Sequence, residues 1–134
     1  MCPFSLECEL CKPVCHYFKK RGYAIKREIR IGYCIADIVA YTTNHTIAIE
    51  LKLRNWKKAI IQAKNYQLGA DFVYLAFPLA SAHTVLRKAE YVLKKEGIGL
   101  LVINEQSRKV SQIIKPRTSP RKLGEMVFKT SSCY

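Results

Sequence analysis

The feature of the sequence that most constrains the fold is a series of three β-like segments, followed by a helical segment and a short apolar strand. Residues 23–29, 35–41 and 46–53 are rich in β-branched and aromatic residues, and turn residues separate them. This pattern predicts a three-stranded meander. Asn55 then predicts the start of a helix that Gly69 ends, and residues 71–77 are apolar enough to be buried on both faces.

The segments on either side of this series predict further helices and strands. Residues 5–21 have a helical pattern with Ser5 as the N-cap, and Pro13 predicts either a kink or two short helical pieces. A second helix is predicted from Ser81 to Gly97, followed by a strand pair at residues 99–104 and 110–115. The predicted order is an α-β-β-β-α-β core followed by α-β-β, which indicates an α/β sandwich with a mixed sheet.

Length and composition indicate one globular domain. The chain has 134 residues, and its 49% hydrophobic content is enough for a core around a single sheet. We expect this domain to span residues 1–115, and residues 116–134 to form a basic C-terminal tail that either grips nucleic acid or is disordered.

The charge of the chain favours a polyanionic partner. The 23 Lys and Arg residues exceed the 10 Asp and Glu residues and give a net charge of +13. Nucleic acid is the leading candidate, and a basic surface with only non-specific attraction is the alternative. The sequence has neither an apolar stretch of membrane-spanning length nor a signal-peptide pattern, so we expect a cytoplasmic protein with reduced cysteines and no membrane partner.

Three charged side chains interrupt otherwise apolar predicted strands. Glu50 and Lys52 lie two residues apart, so both point to the same face of their strand. Asp37 stands among apolar neighbours in the preceding strand, and a hairpin between the two strands brings it near the level of Glu50 and Lys52. Charged groups in such strands are costly unless they are paired or used.

This trio has the composition of a divalent-metal site. Two adjacent carboxylates repel each other unless a cation lies between them, and oxygen ligands suit Mg²⁺ or Mn²⁺. A bound cation acidifies water and neutralises charge on a phosphate, while a nearby lysine orients the nucleophile or stabilises the transition state. The predicted reaction is hydrolysis of a phosphodiester.

Asp37 followed across a hairpin by Glu50-Leu51-Lys52 resembles the motif of the PD-(D/E)xK nuclease superfamily, with Ala36 at the position of the motif's proline. The order of predicted elements over residues 5–77 is also similar to that family's core. The resemblance implies a restriction-endonuclease-like three-layer sandwich with a central mixed sheet. It also implies that Asp37, Glu50 and the Leu51 carbonyl bind the metal, and that Lys52 is the catalytic lysine.

The first predicted helix offers a further acidic residue of the kind that completes the metal site in many members of that superfamily. At about 100° per residue, Glu7 falls within the apolar arc of the helix, whereas Glu9 falls nearly opposite. Glu7 is therefore the expected fourth catalytic and metal-binding residue. The sequence around it also resembles the first helix of archaeal Holliday-junction resolvases.

The helix after the Glu50-Leu51-Lys52 strand carries Gln62 and Tyr66 one turn apart. This pair is similar to the QxxxY motif of RecB-like nucleases, which implies that the helix lies beside the active site and positions the DNA strand. Three lysines on the same helix are expected to contact phosphates: Lys57, Lys58 and Lys64.

Four cysteines near the start of the chain have two interpretations. Cys2, Cys8, Cys11 and Cys15 have spacings that an iron–sulfur cluster or zinc ion accepts. The last three also fall on the apolar arc of the predicted helix, where reduced cysteine behaves as a small core residue. The second interpretation is favoured.

These features together predict a small metal-dependent DNA endonuclease or exonuclease. The resemblance to the nuclease superfamily implies in addition that the protein is a symmetric homodimer. The alternative from another class is a non-catalytic nucleic-acid-binding protein with the same fold. The preferred DNA substrate does not follow from the sequence.

Overall fold

The computed structural model describes residues 7–121, which form three helices, six strands and one short 3-10 helix at Glu7–Leu10. The helices are α1 (Cys11–Lys19), α2 (Trp56–Tyr66) and α3 (Leu79–Glu96). The strands are β1 (Ala24–Ile31), β2 (Cys34–Tyr41), β3 (Thr46–Leu51), β4 (Phe72–Pro78), β5 (Gly99–Ile103) and β6 (Val110–Ile114). This element order confirms the predicted α-β-β-β-α-β core and the α-β-β that follows it.

The six strands form one mixed sheet in the order β1-β2-β3-β4-β5-β6. β3, β4 and β5 are parallel to one another, whereas β1, β2 and β6 are joined to their neighbours by antiparallel pairing. Because β3, β4 and β5 are parallel, their C-terminal ends lie side by side at the same end of the sheet.

Helices cover both faces of this sheet. Buried residues of α1 pack with one set of strand side chains, which includes Ile38, Ile49 and Tyr74. Buried residues of α2 and α3 pack with the opposite set, which includes Val39 and Leu75. The result is an α/β structure arranged as a three-layer sandwich, as the sequence predicted.

The first helical segment consists of two pieces, which is one of the two outcomes that Pro13 predicted. The 3-10 helix ends at Leu10, and α1 starts at Cys11. Pro13 therefore lies in the first turn of α1, where its missing N–H has no intrahelical partner to lose. Ser5, the predicted cap, lies outside the described residues.

The predicted ends of α2 and α3 follow the expected chemistry. Asn55 caps α2, since its Oδ1 accepts a hydrogen bond from the N–H of Lys58 at 3.2 Å. Gly97 ends α3 with a φ of +77°, a left-handed conformation that glycine adopts without strain. α3 begins at Leu79, two residues before the predicted Ser81. No helix within residues 7–121 has the length and apolar content required to cross a membrane.

β1 forms one edge of the sheet and is strongly charged. Lys26, Arg27 and Arg30 are exposed on this strand. Glu28 between them is also exposed and has a φ of +55°, a left-handed conformation that is rare for residues other than glycine.

Residues just after the predicted boundary at residue 115 form hydrogen bonds with the domain. Arg117 donates hydrogen bonds to the carbonyls of Lys94 and Lys95 at the end of α3, at 2.6 and 2.8 Å. The N–H of Ser119 donates to the Asp71 carbonyl at 2.7 Å. Residues 116–121, predicted as the start of a tail, therefore lie against the domain, and residues 122–134 lie outside the described part of the chain.

Candidate active site

The sheet brings Asp37 and Glu50 side by side. The antiparallel register of β2 and β3 pairs Ile38 with Ile49, so continuing it by one residue places Asp37 opposite Glu50. At this point a side chain takes the place of a backbone partner between the two strands: Asp37 Oδ2 accepts a hydrogen bond from the Leu51 N–H at 2.8 Å. The carboxyl of Asp37 is thereby fixed at the end of β3.

The Asp37 carboxyl lies in a partly desolvated position. Burial raises its pKa above the ordinary value of 3.8, and the charge of Glu7 acts in the same direction. The hydrogen bonds with the Leu51 N–H and with Glu50 oppose this rise, as does the charge of Lys52. Burial prevails, so the protonated form of Asp37 is favoured relative to an aspartate in water.

Glu50 is more deeply buried, with only 3% of its surface exposed. Burial raises the pKa of its carboxyl from 4.5 to about 7, and the neighbouring charge of Asp37 contributes to the increase. Hydrogen bonding from Tyr66 and the charge of Lys52 act against it. Both carboxyls have raised pKa values and interact with each other, so they titrate as a pair.

Tyr66 of α2 forms a hydrogen bond with Glu50 of this pair. Its side chain is fully buried, and its hydroxyl oxygen lies 2.6 Å from Glu50 Oε1 and 2.8 Å from the Ile35 carbonyl oxygen. One hydroxyl has one proton to donate, so an ionised Glu50 accepts it, whereas a protonated Glu50 donates to Tyr66 and frees the phenol to donate to Ile35. Tyr66 therefore accommodates both protonation states of Glu50.

Lys52 completes the group on the same face of β3. Its Nζ lies 3.5 Å from Glu50 Oε2, and only 8% of the residue is exposed. An ammonium held at such low exposure beside two carboxyls has lost most of its water, which strengthens its interaction with any charge that enters the site.

Glu7 is placed close to the pair but does not join it. It lies in the 3-10 helix and is exposed, although its charge still raises the pKa of Asp37. Within residues 7–121, no set of three or more His, Cys, Asp or Glu side chains lies close enough together to hold a metal ion. The structure thus brings together Asp37, Glu50, Leu51 and Lys52, with Glu7 at the margin.

The donor set at this pair fits a hard divalent cation. Asp37 and Glu50 supply two adjacent carboxylates, and oxygen ligands of this kind suit Mg²⁺ or Mn²⁺, which retain several waters. The pKa values of Asp37 and Glu50 are raised because negative charge is costly in a desolvated site. A bound cation would neutralise that charge.

The α2 residues predicted to bind DNA fall in different environments. Tyr66 has no exposed surface, so it contacts Glu50 and Ile35 and presents nothing to a DNA strand. Gln62 is half-buried, and its Oε1 is buried without a hydrogen-bond partner. Such an atom carries a desolvation cost that a donor from a ligand or a water would relieve.

The three lysines of α2 also differ from one another. Lys57 and Lys58 are exposed at the start of the helix, near the end of β3 where the site lies. Lys64 is half-exposed, and its Nζ lies 3.7 Å from Glu96 Oε2. Its charge is therefore partly neutralised by an ion pair within the protein.

The described cysteines are arranged as core and surface residues. Cys8 is exposed, Cys11 is buried, and Cys11 Sγ lies 3.5 Å from Cys15 Sγ. Burial raises the pKa of the Cys11 thiol to about 12, and its hydrogen bond with Cys15 adds to this, so the thiolate that metals require is disfavoured. Cys2, the fourth residue of the proposed cluster, lies outside the described residues.

Comparison with solved structures places this fold among known proteins. A protein of unknown function from Silicibacter pomeroyi matches with a TM-score of 0.64 and 16% identity, over 96% of this chain and 88% of that one. An XisH family protein from Nostoc punctiforme matches with a TM-score of 0.58 and 22% identity, over 78% and 97% of the two chains. An fdxN element excision controlling factor protein from Anabaena variabilis gives the same TM-score and coverage at 23% identity.

These likenesses are of fold, since every one of the three identities is below 25%. No protein-family model matches the sequence, and no curated protein matches it significantly. The class that the fold and the site define is therefore an α/β sandwich that is shared with an XisH family protein and carries one buried and one partly buried carboxyl side by side.

Proposed function

We propose that the protein is a metal-dependent nuclease that hydrolyses phosphodiester bonds of DNA. The observation that supports this most strongly is the pairing of Asp37 with Glu50 at the end of β3, with Lys52 beside them. If these positions served only to stabilise the fold, apolar residues would cost less free energy there than three charged residues do. Their presence together in a largely desolvated cluster favours a chemical role.

In this proposal Asp37, Glu50 and the Leu51 carbonyl hold Mg²⁺ or Mn²⁺, with Glu7 contributing from the 3-10 helix. The bound ion supplies a more acidic water and neutralises charge on the phosphate. Asp37 keeps its position through the Leu51 N–H, and Tyr66 holds Glu50. The site is therefore organised before substrate arrives, which is the condition for electrostatic catalysis.

Lys52 has the proposed role of assisting the attack of water and stabilising the charge that develops on the phosphate. The attacking water would give up a proton to the surrounding solvent as its oxygen forms a bond to phosphorus, while the phosphorus–oxygen bond to the leaving nucleotide breaks and negative charge develops on the phosphate oxygens. The Lys52 ammonium stabilises that charge, because it is held beside the pair by Glu50 and has little access to solvent.

A second candidate is a non-catalytic DNA-binding protein with the same fold. It is favoured by the position of Glu7, since residues 7–121 offer no complete set of three acidic ligands. One structural neighbour is named as an excision controlling factor, so a role in DNA excision or rearrangement is compatible with either candidate. In both, we propose that the protein is cytoplasmic and acts as a homodimer.

Cleavage of labelled linear duplex, single-stranded and four-way-junction DNA tests the proposal in Mg²⁺, Mn²⁺ or EDTA. The variants are Asp37→Asn and Glu50→Gln, which remove one charge each with little change of shape. Glu105→Gln is the matched control, because Glu105 is also buried but accepts a hydrogen bond from the Ala80 N–H outside the site.

The nuclease predicts metal-dependent cleavage by wild type and Glu105→Gln, and at least a hundredfold loss in the two site variants. Equal cleavage by wild type and Asp37→Asn points to a contaminating nuclease and contradicts the proposal. DNA binding by all four proteins without cleavage of any substrate supports the non-catalytic candidate.

A further inference from the structure

A large groove lies on the α1 face of the sheet, apart from the Asp37–Glu50 pair. It has a volume of about 920 Å³, with α1 along one side and the turn between β5 and β6 along the other. The side chains on its two sides carry several positive charges, whereas Glu9 is the only acidic residue that lines it within the described chain.

The α1 side of the groove is a regular basic stripe. Lys12, His16 and Lys20 follow one another at intervals of four residues, so they lie on one face of the helix, and all three are exposed. Arg21 continues the stripe, with its guanidinium 3.6 Å above the centre of the Tyr17 ring. This stripe faces the groove instead of the core.

The opposite side is a turn that is held rigidly. Asn104 Oδ1 accepts hydrogen bonds from the N–H groups of Gln106 and Ser107, at 2.8 and 3.0 Å. The turn places Arg108, with a φ of +63°, and Lys109 on the groove. Both side chains are exposed, so cations line the groove on both sides.

The groove also begins near the candidate active site. Cys8 lines it and follows Glu7, whose charge reaches Asp37. The turn between β5 and β6 follows the C-terminal end of β5, at the same end of the sheet as the C-terminal end of β3. The Asp37–Glu50 pair itself faces the α2 side of the sheet, where Tyr66 contacts Glu50, so the groove and the pair lie on opposite faces near the same end of the sheet.

We propose that this groove binds the sugar–phosphate backbone of a DNA strand. Cations spaced along both sides match a ligand with regularly repeated negative charge. The inference rests on the proposed function for the identity of the ligand, and it adds a binding surface on the α1 face to that expected on α2.

Binding of fluorescent single-stranded and duplex DNA in EDTA, over a range of salt concentrations, tests the groove without any cleavage. Lys12→Ala combined with Lys109→Ala removes one charge from each side of the groove. The matched control is Arg87→Ala combined with Lys88→Ala, which removes the same charge from exposed positions on α3. Each variant's fold is checked by circular dichroism.

The groove predicts that the first pair of substitutions weakens binding by about tenfold for each lost phosphate contact at 0.1 M salt. It also predicts that the slope of log affinity against log salt falls by about two, and that the α3 pair changes either quantity little. Equal weakening by both pairs, or none by the groove pair, overturns the inference.

The same proteins distinguish this inference from the proposed function. Cleavage by wild type in Mg²⁺, together with unchanged DNA binding by the groove pair, refutes the groove and leaves the nuclease intact. Groove-dependent binding in EDTA, without cleavage in any metal, supports the groove and refutes the nuclease.

Discussion

Replacing Glu50 with glutamine is expected to stabilise the metal-free protein at neutral and higher pH. The glutamine has the shape of the protonated glutamate but cannot ionise. An acid whose pKa is raised on folding binds its proton more tightly in the folded state, so wild type loses stability as the pH rises from the unfolded pKa to the folded one. For Glu50 this interval runs from 4.5 to about 7.

The size of the effect follows from that interval. At about 1.4 kcal/mol for each pH unit, the interval sets a ceiling of about 3 kcal/mol on the free energy that ionised Glu50 costs the fold. We therefore expect Glu50→Gln to match wild type near pH 5 and to exceed its free energy of unfolding by about 1–3 kcal/mol at pH 8.

Urea denaturation followed by circular dichroism at pH 5, 6, 7 and 8 in EDTA measures this difference. Added Mg²⁺ is expected to reduce or reverse the advantage of the variant, since the ion stabilises the ionised carboxylates of wild type. A difference between the two proteins that is the same at pH 5 and pH 8 refutes the reasoning, because it shows that Glu50 ionises in the fold as it does in water.

Three further substitutions test other parts of the structure. Tyr66→Phe removes the hydroxyl that lowers the pKa of Glu50, so the decline in stability should still begin near pH 4.5 but continue to higher pH, with a further loss of about 1–3 kcal/mol at pH 8 in urea denaturation. Gly99→Ala adds a methyl 2.8 Å from two neighbouring side chains, and we expect a cost of about 1–3 kcal/mol and a lower Tm by calorimetry. Arg117→Ala removes two hydrogen bonds to the end of α3 and should lower stability by about 1 kcal/mol, with faster amide exchange in the last turn of that helix.

The sequence predicted those features that depend on local patterns. Strand periodicity placed Glu50 and Lys52 on one face, and the turn residues between β2 and β3 brought Asp37 level with Glu50. The cap at Asn55 and the end of α3 at Gly97 follow from side-chain and backbone preferences that act within a few residues. The order of elements followed from these local signals.

The sequence did not predict features that depend on how distant segments pack. The helical period placed Gln62 and Tyr66 one turn apart, but the hydrogen bond between Tyr66 and Glu50 depends on the angle at which α2 crosses the sheet. Residues 116–121 are polar and without periodicity, so nothing local indicated that Arg117 reaches the end of α3. The exposed position of Glu7 depends on the helix beginning as a 3-10 turn, which its apolar arc does not reveal.

The charged edge of β1 has a consequence for how molecules of this protein meet one another. Its unpaired backbone groups are a template for another strand, and edges of this kind promote aggregation unless they are guarded. Two copies joined through this edge would bring Lys26, Arg27 and Arg30 of each close to their counterparts, and the left-handed Glu28 would interrupt the ladder. These charges and the left-handed Glu28 therefore disfavour pairing between the β1 strands of two copies of the chain.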